Sequence, residues 1–165
     1  MNSINPNKIG ENLIDLISNQ WMLITSGTKE NWNTMTASWG GMGYIWEKPT
    51  SMCVLRPQRY TTEFMNKNDF YTLTFFPETE KKKLQILGTK SGRNINKMQD
   101  SGLTPIYSDN YVYFEEAKIT LICKKLYYQD LEPQNFNDPK LAEKMYPQKD
   151  FHRMFFGEIV ECLVK

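Results

Sequence analysis

Histidine and cysteine are both scarce in this chain. Its 165 residues include one histidine, His152, and three cysteines at positions 53, 123 and 162. No two cysteines are close in sequence, so the ligand spacing of a zinc site is missing and we predict no bound metal. An odd count of widely spaced cysteines is also not a disulfide framework, which favours reduced thiols in a cytoplasmic protein.

An excess of charge of one sign is lacking as well. Twenty lysines and arginines face nineteen aspartates and glutamates, and the net charge is +1. This balance gives no long-range field for nucleic acid or anionic lipid, and we expect neither as a partner. No apolar run approaches the roughly 20 residues that span a bilayer. Residues 1–12 also lack the apolar stretch of a signal peptide, so a soluble protein is expected.

Two patterns of nucleotide-binding enzymes are missing too. Glycines 40, 41 and 43 do not have the G-x-G-x-x-G spacing, so no dedicated dinucleotide-binding domain is expected. The strand-helix alternation of a parallel sheet is also absent. The chain does have 40% apolar and 13% aromatic residues. This composition is sufficient for the core of a single domain over residues 1–165.

Hydrophobic periodicity predicts about seven strands, mostly in neighbouring pairs, and several short helices. The predicted strands and extended segments cover residues 21–25, 33–39, 51–55, 69–76, 103–107, 111–114, 117–128 and 151–164. The predicted helices cover residues 6–19, with Pro6 in the first turn, 61–68 and 79–87, and a small helix falls within 132–149. Residues 26–31 indicate a turn, glycines 40 and 41 a strand end or bend, and Gly88 a helix C-cap. The pattern favours a mainly β fold, an antiparallel barrel with peripheral helices.

Residues 33–41 are the first candidate site segment. Alternate side chains of a strand share a face, so a stripe of hydroxyls lies opposite an apolar face. The stripe is Thr34, Thr36 and Ser38, and the apolar face is Met35, Ala37 and Trp39. Small hydroxyl residues let a ligand approach the backbone and offer it donors and acceptors. The alternative is an edge strand with a solvated polar face.

Two further segments carry cations. Arg56 and Arg59 precede a predicted helix with Thr61 in its first turn, and this combination is typical of a phosphate site. The alternative is a solvated loop with an ordinary helix cap. Residues 88–97 concentrate glycine, hydroxyls and cations without the Walker spacing, and a plain surface loop is the alternative there. His152 has no nucleophile beside it in sequence, which favours a structural or solvent-facing role.

These three segments, in this order, resemble the flavin reductase-like family, which includes the flavoredoxins. The resemblance spans roughly residues 10–164 of the chain. It rests on Asn33-x-Met35-Thr36-Ala37-Ser38-Trp39-Gly40-Gly41, on Leu55-Arg56 followed by Tyr60-Thr61, on Ser91-Gly92-Arg93 with Lys97 and Gly102-Leu103-Thr104, and on Phe156-Gly157-Glu158-Ile159-Val160. The family's Ser-Gly-Arg-Asp-x-Asp-Lys loop has asparagines here at 94 and 96, which leaves the loop more cationic.

The resemblance implies an antiparallel split β-barrel of the FMN-binding type and a homodimer with FMN near the dimer interface. By similarity, Asn33 and the segment that follows it to Trp39 would contact the flavin ring and ribityl chain. Arg56, Arg59 and Thr61 would lie near the phosphate. The remaining implied cofactor-binding residues are Tyr60, Ser91, Gly92 and Lys97.

Three functions are compatible with this resemblance. The first is a flavin reductase that takes hydride from NADH or NADPH, with Lys90, Arg93 or Lys97 as candidate anchors for the nucleotide's pyrophosphate. The second is an FMN electron carrier reduced by a protein partner. The third is a barrel that binds a ligand or nucleic acid without redox chemistry. The first is favoured, because a flavin carries the redox chemistry and asks for no catalytic triad or metal from the chain.

Overall fold

The computed structural model describes residues 1–165, which form ten strands and five α-helices. In chain order these are β1 (Asn2–Ile4), α1 (Leu13–Asp15), β2 (Met22–Thr28), β3 (Asn31–Ala37), β4 (Gly40–Ile45), β5 (Lys48–Leu55), α2 (Tyr60–Lys67), β6 (Phe70–Phe75), α3 (Lys81–Thr89), α4 (Lys97–Ser101), β7 (Pro105–Tyr107), β8 (Val112–Phe114), β9 (Ile119–Asp130), α5 (Pro139–Met145) and β10 (Arg153–Val164). Short 3₁₀ turns cover Pro6–Lys8, Glu78–Glu80 and Pro133–Asn135, and a π-helical segment, Leu16–Gln20, continues α1. None of the helices has the length and hydrophobicity needed to cross a membrane.

One antiparallel sheet dominates the molecule. Its strands lie in the order β3-β2-β6-β9-β10-β5-β4, β1 adds to β10, and β7 and β8 form a separate two-stranded ribbon. The two edge strands, β3 and β4, are connected by only two residues, Ser38 and Trp39. Both ends of the sheet therefore meet at this connection.

The sheet curves around a common core. The hydroxyls of Tyr71 on β6 and Ser51 on β5 hydrogen-bond over 2.8 Å, although β9 and β10 separate the two strands in the sheet. A Cβ at Gly157 on β10 would lie 2.5 Å from the Tyr71 hydroxyl, so glycine is needed for this approach. Seventeen buried hydrophobic residues fill the interior. The hydrogen-bonded path stays open between β3 and β4, and the predicted antiparallel, mainly β fold is confirmed.

A second, smaller core lies outside the barrel and positions α3. Leu23 of β2 points away from the barrel interior and packs with Leu84 and Leu87 of α3 and Phe114 of β8. Its neighbours in the strand, Met22 and Ile24, belong to the main core. Because side chains alternate along a strand, β2 is buried on both faces. This burial fixes α3 alongside the β2–β3 hairpin.

The β2–β3 hairpin was predicted, but its turn is shorter than expected. Both strands continue through residues 26–28 and 31–32, and only Lys29 and Glu30 form the turn. Gly27 has a φ of 121° and a Cβ there would meet the Asn31 carbonyl oxygen at 2.3 Å. Most of the polar residues that suggested a turn are therefore paired strand residues. Gly27 lies where the two strands approach each other most closely.

Of the two predictions made from glycine, the first is displaced by two residues and the second is wrong. β3 ends at Ala37, just before the glycine pair, and Gly40 and Gly41 begin β4, which pairs with β5 along its whole length. Gly88 lies inside α3, which ends at Thr89, and does not cap it. A Cβ added at Gly88 would lie 3.2 Å from the Cβ of Thr36. The first helix was also predicted to start too early, since Asn12 caps it and it begins at Leu13.

Candidate functional site

A pocket of about 380 Å³ opens between β3 and α3, within the size range of small-molecule sites. Residues 35–39 of β3 and the connection after it form one wall. One face of α3 forms the second wall through Leu84, Gln85, Gly88 and Thr89. The remaining lining residues come from four other parts of the chain and are Trp21, Val54, Arg56, Arg59 and His152.

Thr36 of β3 makes the contact between the two walls of the pocket. Its hydroxyl donates to the Leu84 carbonyl oxygen, and its Cβ packs against Gly88 one turn later. The hydroxyl is therefore committed to the helix. The backbone of β3 is available instead: the Thr34 carbonyl accepts from Lys97 and so points away from β2. Alternate residues of a strand direct their amides to the same side, so the Thr36 N–H also points away from β2.

Two guanidinium groups define the cationic end of the pocket. Arg56 is paired with Asp150 and donates to the Met145 carbonyl oxygen over 2.9 Å. Arg59 donates to the Gly88 carbonyl oxygen, also over 2.9 Å. An arginine has five N–H donors, so both retain donors for a ligand. Burial, and next the charge of Arg56, lowers the pKa of Arg59.

No aspartate or glutamate lines this pocket, although the chain has nineteen of them. Asp150, which pairs with Arg56, lies behind it. The charge facing the cavity is therefore that of two cations. An anion placed between Arg56 and Arg59 relieves their mutual repulsion and receives forked, charge-assisted hydrogen bonds. This donor set fits a phosphate group.

His152 also lines the pocket. It is buried, so the solvent-facing alternative of its prediction is wrong, whereas the structural alternative agrees with its packing. Its Nδ1 hydrogen-bonds the Tyr146 hydroxyl over 2.8 Å, and its ring lies 5.1 Å from the ring of Trp39. Burial, followed by the nearby charge of Arg56, lowers the pKa of His152 to about 4. The ring is therefore neutral at physiological pH and adds no third charge to the pocket.

A buried polar layer lies behind the pocket. Asn33 donates from Nδ2 to the Thr61 hydroxyl over 2.8 Å, and the hydroxyls of Thr34 and Thr25 share a bond of 2.8 Å. Gly92 closes this layer, because a Cβ there would lie 2.2 Å from Asn33 Oδ1. These contacts join β3 to α2, to β2 and to the loop before α4.

Lys97 belongs to the same layer. Its Nζ donates to the carbonyl oxygens of Thr34 and Leu87, so it joins α4 to β3 and α3. Burial, with a smaller effect of the Arg59 charge, lowers the pKa of Lys97 to about 8. The ammonium thus stabilises the backbone of both pocket walls from behind.

The structure brings half of the sequence-predicted site residues to the pocket surface. These are Met35, Thr36, Ala37, Ser38, Trp39, Arg56 and Arg59. The others lie outside its lining, in or beside the supporting layer, and are Asn33, Thr34, Tyr60, Thr61, Ser91, Gly92 and Lys97. Their roles toward a cofactor stay predictions.

The three candidate pyrophosphate anchors do not reach the pocket. Lys90 pairs with Asp100 at 3.1 Å, and Arg93 pairs with Glu63 and covers the ring of Tyr60. Lys97 is buried behind β3. This arrangement argues against all three as anchors of a second nucleotide.

Sequence reasoning missed most of the second wall. Leu84, Gln85, Gly88 and Thr89 follow helical spacing and share one face of α3, but nothing local shows that this face meets β3. Trp21 lies beside Ser38, since Met22 pairs with Ala37. A usable signal was the small residue Gly88 at the end of the predicted helix, because glycine permits a close approach to another element.

Comparison with known proteins assigns the family. Residues 14–165 match the model of the flavin reductase like domain. The chain belongs to this family. Comparison with curated protein sequences gives no significant match.

Solved structures share the fold at low sequence identity. A flavoredoxin from Methanosarcina acetivorans has 20% identity and a TM-score of 0.67, with 100% of this chain and 75% of that chain covered. An FMN-binding protein from Thermus thermophilus with bound p-hydroxybenzaldehyde has 19% identity and a TM-score of 0.69, covering 100% and 82%. The styrene monooxygenase flavin reductase from Pseudomonas putida S12 has 12% identity and a TM-score of 0.64, covering 88% and 79%.

Proposed function

We propose that this pocket binds FMN and that the protein is an oxidoreductase that transfers hydride from NADH or NADPH to the flavin. The observation that carries the proposal is the cationic end of the pocket, where Arg56 and Arg59 face a cavity without any carboxylate. The family and the FMN-binding and flavin-reducing neighbours support the same ligand.

The residues fit FMN better than FAD. Two arginines at one end serve a single terminal phosphate, and no glycine-rich turn for an adenosine diphosphate follows in the sequence. Arg56 and Arg59 would hold that phosphate. The β3 wall would face the planar ring, with the outward N–H of Thr36 as a donor to its edge.

The chemistry asks little of the protein beyond binding and orientation. When bound, the flavin takes up the hydride that the reduced nicotinamide loses, together with a proton from solvent. Neutral His152 and the ring of Trp39 give the wall opposite α3 an aromatic surface. The positive charges of Arg56 and Arg59 attract the anionic nucleotides to the pocket and disfavour cationic ligands there.

A homodimer is the second part of the proposal. Tyr44, Ile45 and Trp46 are exposed at the end of the β4–β5 hairpin, and Tyr127 is exposed beside them. Trp46 packs edge-on against Tyr127 and Phe156, with ring centroids 6.2 Å apart in both pairs. Exposed aromatic clusters of this kind are typical of interface cores. The partner proposed for this surface is a second copy of the chain.

The cellular location is the third part. All three cysteines are free and buried. Unpaired thiols persist in reducing compartments, which supports the cytoplasm.

Anaerobic stopped-flow mixing tests the reaction. FMN-loaded protein is mixed with NADH and with NADPH, and flavin absorbance is followed against free FMN in the same buffer. We expect at least one nucleotide to bleach the bound flavin faster than free FMN. If neither does, hydride transfer is excluded, and an FMN electron carrier reduced by a protein partner becomes the better assignment. Protein that stays colourless with added FMN would exclude both.

A further inference from the structure

Trp21 occupies a backbone conformation that side chains rarely adopt. Its φ is 70° and its ψ is 167°, a region populated essentially by glycine. The surrounding contacts must hold a large aromatic residue there against a local cost. Trp21 lines the pocket beside Ser38 and packs in part against the smaller core. A strained residue that forms the wall of a ligand pocket points to a role in binding.

Lys81 holds the indole of Trp21 in place. Its ammonium lies 4.2 Å from the centroid of the ring and donates to the Asn19 carbonyl oxygen. An ammonium has three donors, so Lys81 keeps capacity for an anion. Asp15, whose carboxylate feels the charge of Lys81, is engaged by hydrogen bonds from Asn19 and Gln20.

Lys81 lies at the opposite end of α3 from the arginine pair. Arg59 contacts the carbonyl of Gly88, seven residues after Lys81. At 1.5 Å per residue this separation is about 10 Å along the helix. A phosphate at Arg56 and Arg59 therefore leaves Lys81 free for a second anionic group. Lys81 does not itself line the pocket, but the indole that it contacts does, so its ammonium lies beside the pocket next to Trp21.

We propose that Trp21 and Lys81 form the docking site of the dinucleotide that delivers hydride. Lys81 pairs with the diphosphate of the dinucleotide, and Trp21 packs against the portion that enters the pocket. The inference rests on the proposed function, because it presumes that FMN occupies the arginine end. Lys81 takes the role of pyrophosphate anchor that the sequence suggested for Lys90, Arg93 or Lys97, none of which reaches the pocket.

Binding of the oxidised dinucleotides NAD⁺ and NADP⁺ to FMN-loaded protein tests the site by calorimetry without turnover. We expect Lys81→Gln to raise the Kd of the preferred dinucleotide about fivefold and Trp21→Leu to raise it by a similar factor. The matched control is Lys82→Gln, which removes the same charge from an exposed neighbouring side chain. The control is expected to leave the Kd unchanged. Raised salt should reduce the effect of Lys81→Gln, since an exposed charge pair is screened.

The Kd of FMN, measured on each apo-protein, separates this site from the flavin site. It should be the same in the wild type, Lys81→Gln and Lys82→Gln. Equal Kd values of the dinucleotide for the two lysine variants would overturn the proposal. So would a Trp21→Leu variant that loses FMN affinity as strongly as dinucleotide affinity, or a flavin-loaded wild type that binds neither dinucleotide. Failure of the wild type to bind FMN would instead show that the proposed function itself is wrong.

Discussion

The side-chain amide of Asn33 donates to the hydroxyl of Thr61 over 2.8 Å, with both residues buried. This bond joins two of the segments that carry the family resemblance, one on β3 and the other at the start of α2. It also engages the Thr61 hydroxyl inside the protein. Thr61 therefore supports the pocket from behind. Its hydroxyl accepts this bond and keeps its own hydrogen to donate, so its contact with a phosphate stays a prediction.

Thr61→Val is expected to lower the free energy of unfolding by about 1–3 kcal/mol, because it leaves the buried Nδ2 of Asn33 without a partner. Denaturant unfolding of the apo-protein measures the change. The matched control is Thr79→Val, an exposed threonine, which should alter stability by less than about 0.5 kcal/mol. If the Thr61→Val protein has wild-type stability and binds riboflavin normally but FMN weakly, Thr61 acts through a direct contact with the phosphate and not through its bond to Asn33.

Much of the sheet could be predicted from the sequence, because its strands have strong local patterns. β6, β9 and β10 combine aromatic and β-branched residues with flanking turn signals, and they lie close to their predicted positions. β4 was missed because three of its six residues are glycines, which are weak strand formers. Its extended conformation comes from pairing with β5, a tertiary contact that local propensity does not show.

Only the β3 wall and the arginine end of the candidate site could be predicted from the sequence. The β3 wall and the arginines lie in short segments whose composition indicates a ligand. His152 lines the pocket and Asp150 pairs with Arg56 behind it, although both come from the far end of the chain; Asp150 is 94 residues from Arg56. Their roles depend on how the segment before β10 folds back, and sequence spacing does not encode that geometry.

Arg56→Ala should weaken FMN binding by about one to two decades and leave riboflavin binding nearly unchanged. A charge-assisted contact is worth about 1.5–3 kcal/mol, and only FMN has the phosphate to lose it. Fluorescence titration of apo-protein with each flavin measures the two Kd values. The matched control is Arg153→Ala, which removes an arginine paired with Asp130 outside the pocket. Equal losses for FMN and riboflavin would show that Arg56 acts on the fold or the ring.

His152 should titrate far below an ordinary histidine. The folded chain favours the neutral ring, with a pKa of about 4 against an ordinary value of 6.5. Between these values the unfolded chain holds more protons, so the contribution of His152 to stability is full above pH 6.5 and is lost as the pH falls toward 4. The chain has one histidine, so its ring proton signal in an NMR titration is unambiguous. An apparent pKa near 6.5 would contradict the burial and charge environment described above.

His152→Asn provides the stability control for that titration. Asparagine keeps a hydrogen-bonding group near the position of Nδ1, facing the Tyr146 hydroxyl, but it does not titrate. The wild type should lose stability relative to this variant as the pH falls from about 6.5 to about 4. Parallel pH profiles for the two proteins would show that another group causes the acid sensitivity.

The hairpin end offers a clean test of the homodimer. Trp46 and Glu47 both have positive φ, at 54° and 57°, in the two-residue turn between β4 and β5. Such turns favour asparagine and glycine, so Trp46→Asn should keep the hairpin while it removes the indole. We expect this variant to have a monomeric mass by light scattering and an intact fold by circular dichroism. Glu47→Gly is the matched control, since it relaxes the same turn, keeps the indole and should remain dimeric. A wild-type protein that is monomeric with FMN bound would exclude a site that needs two chains.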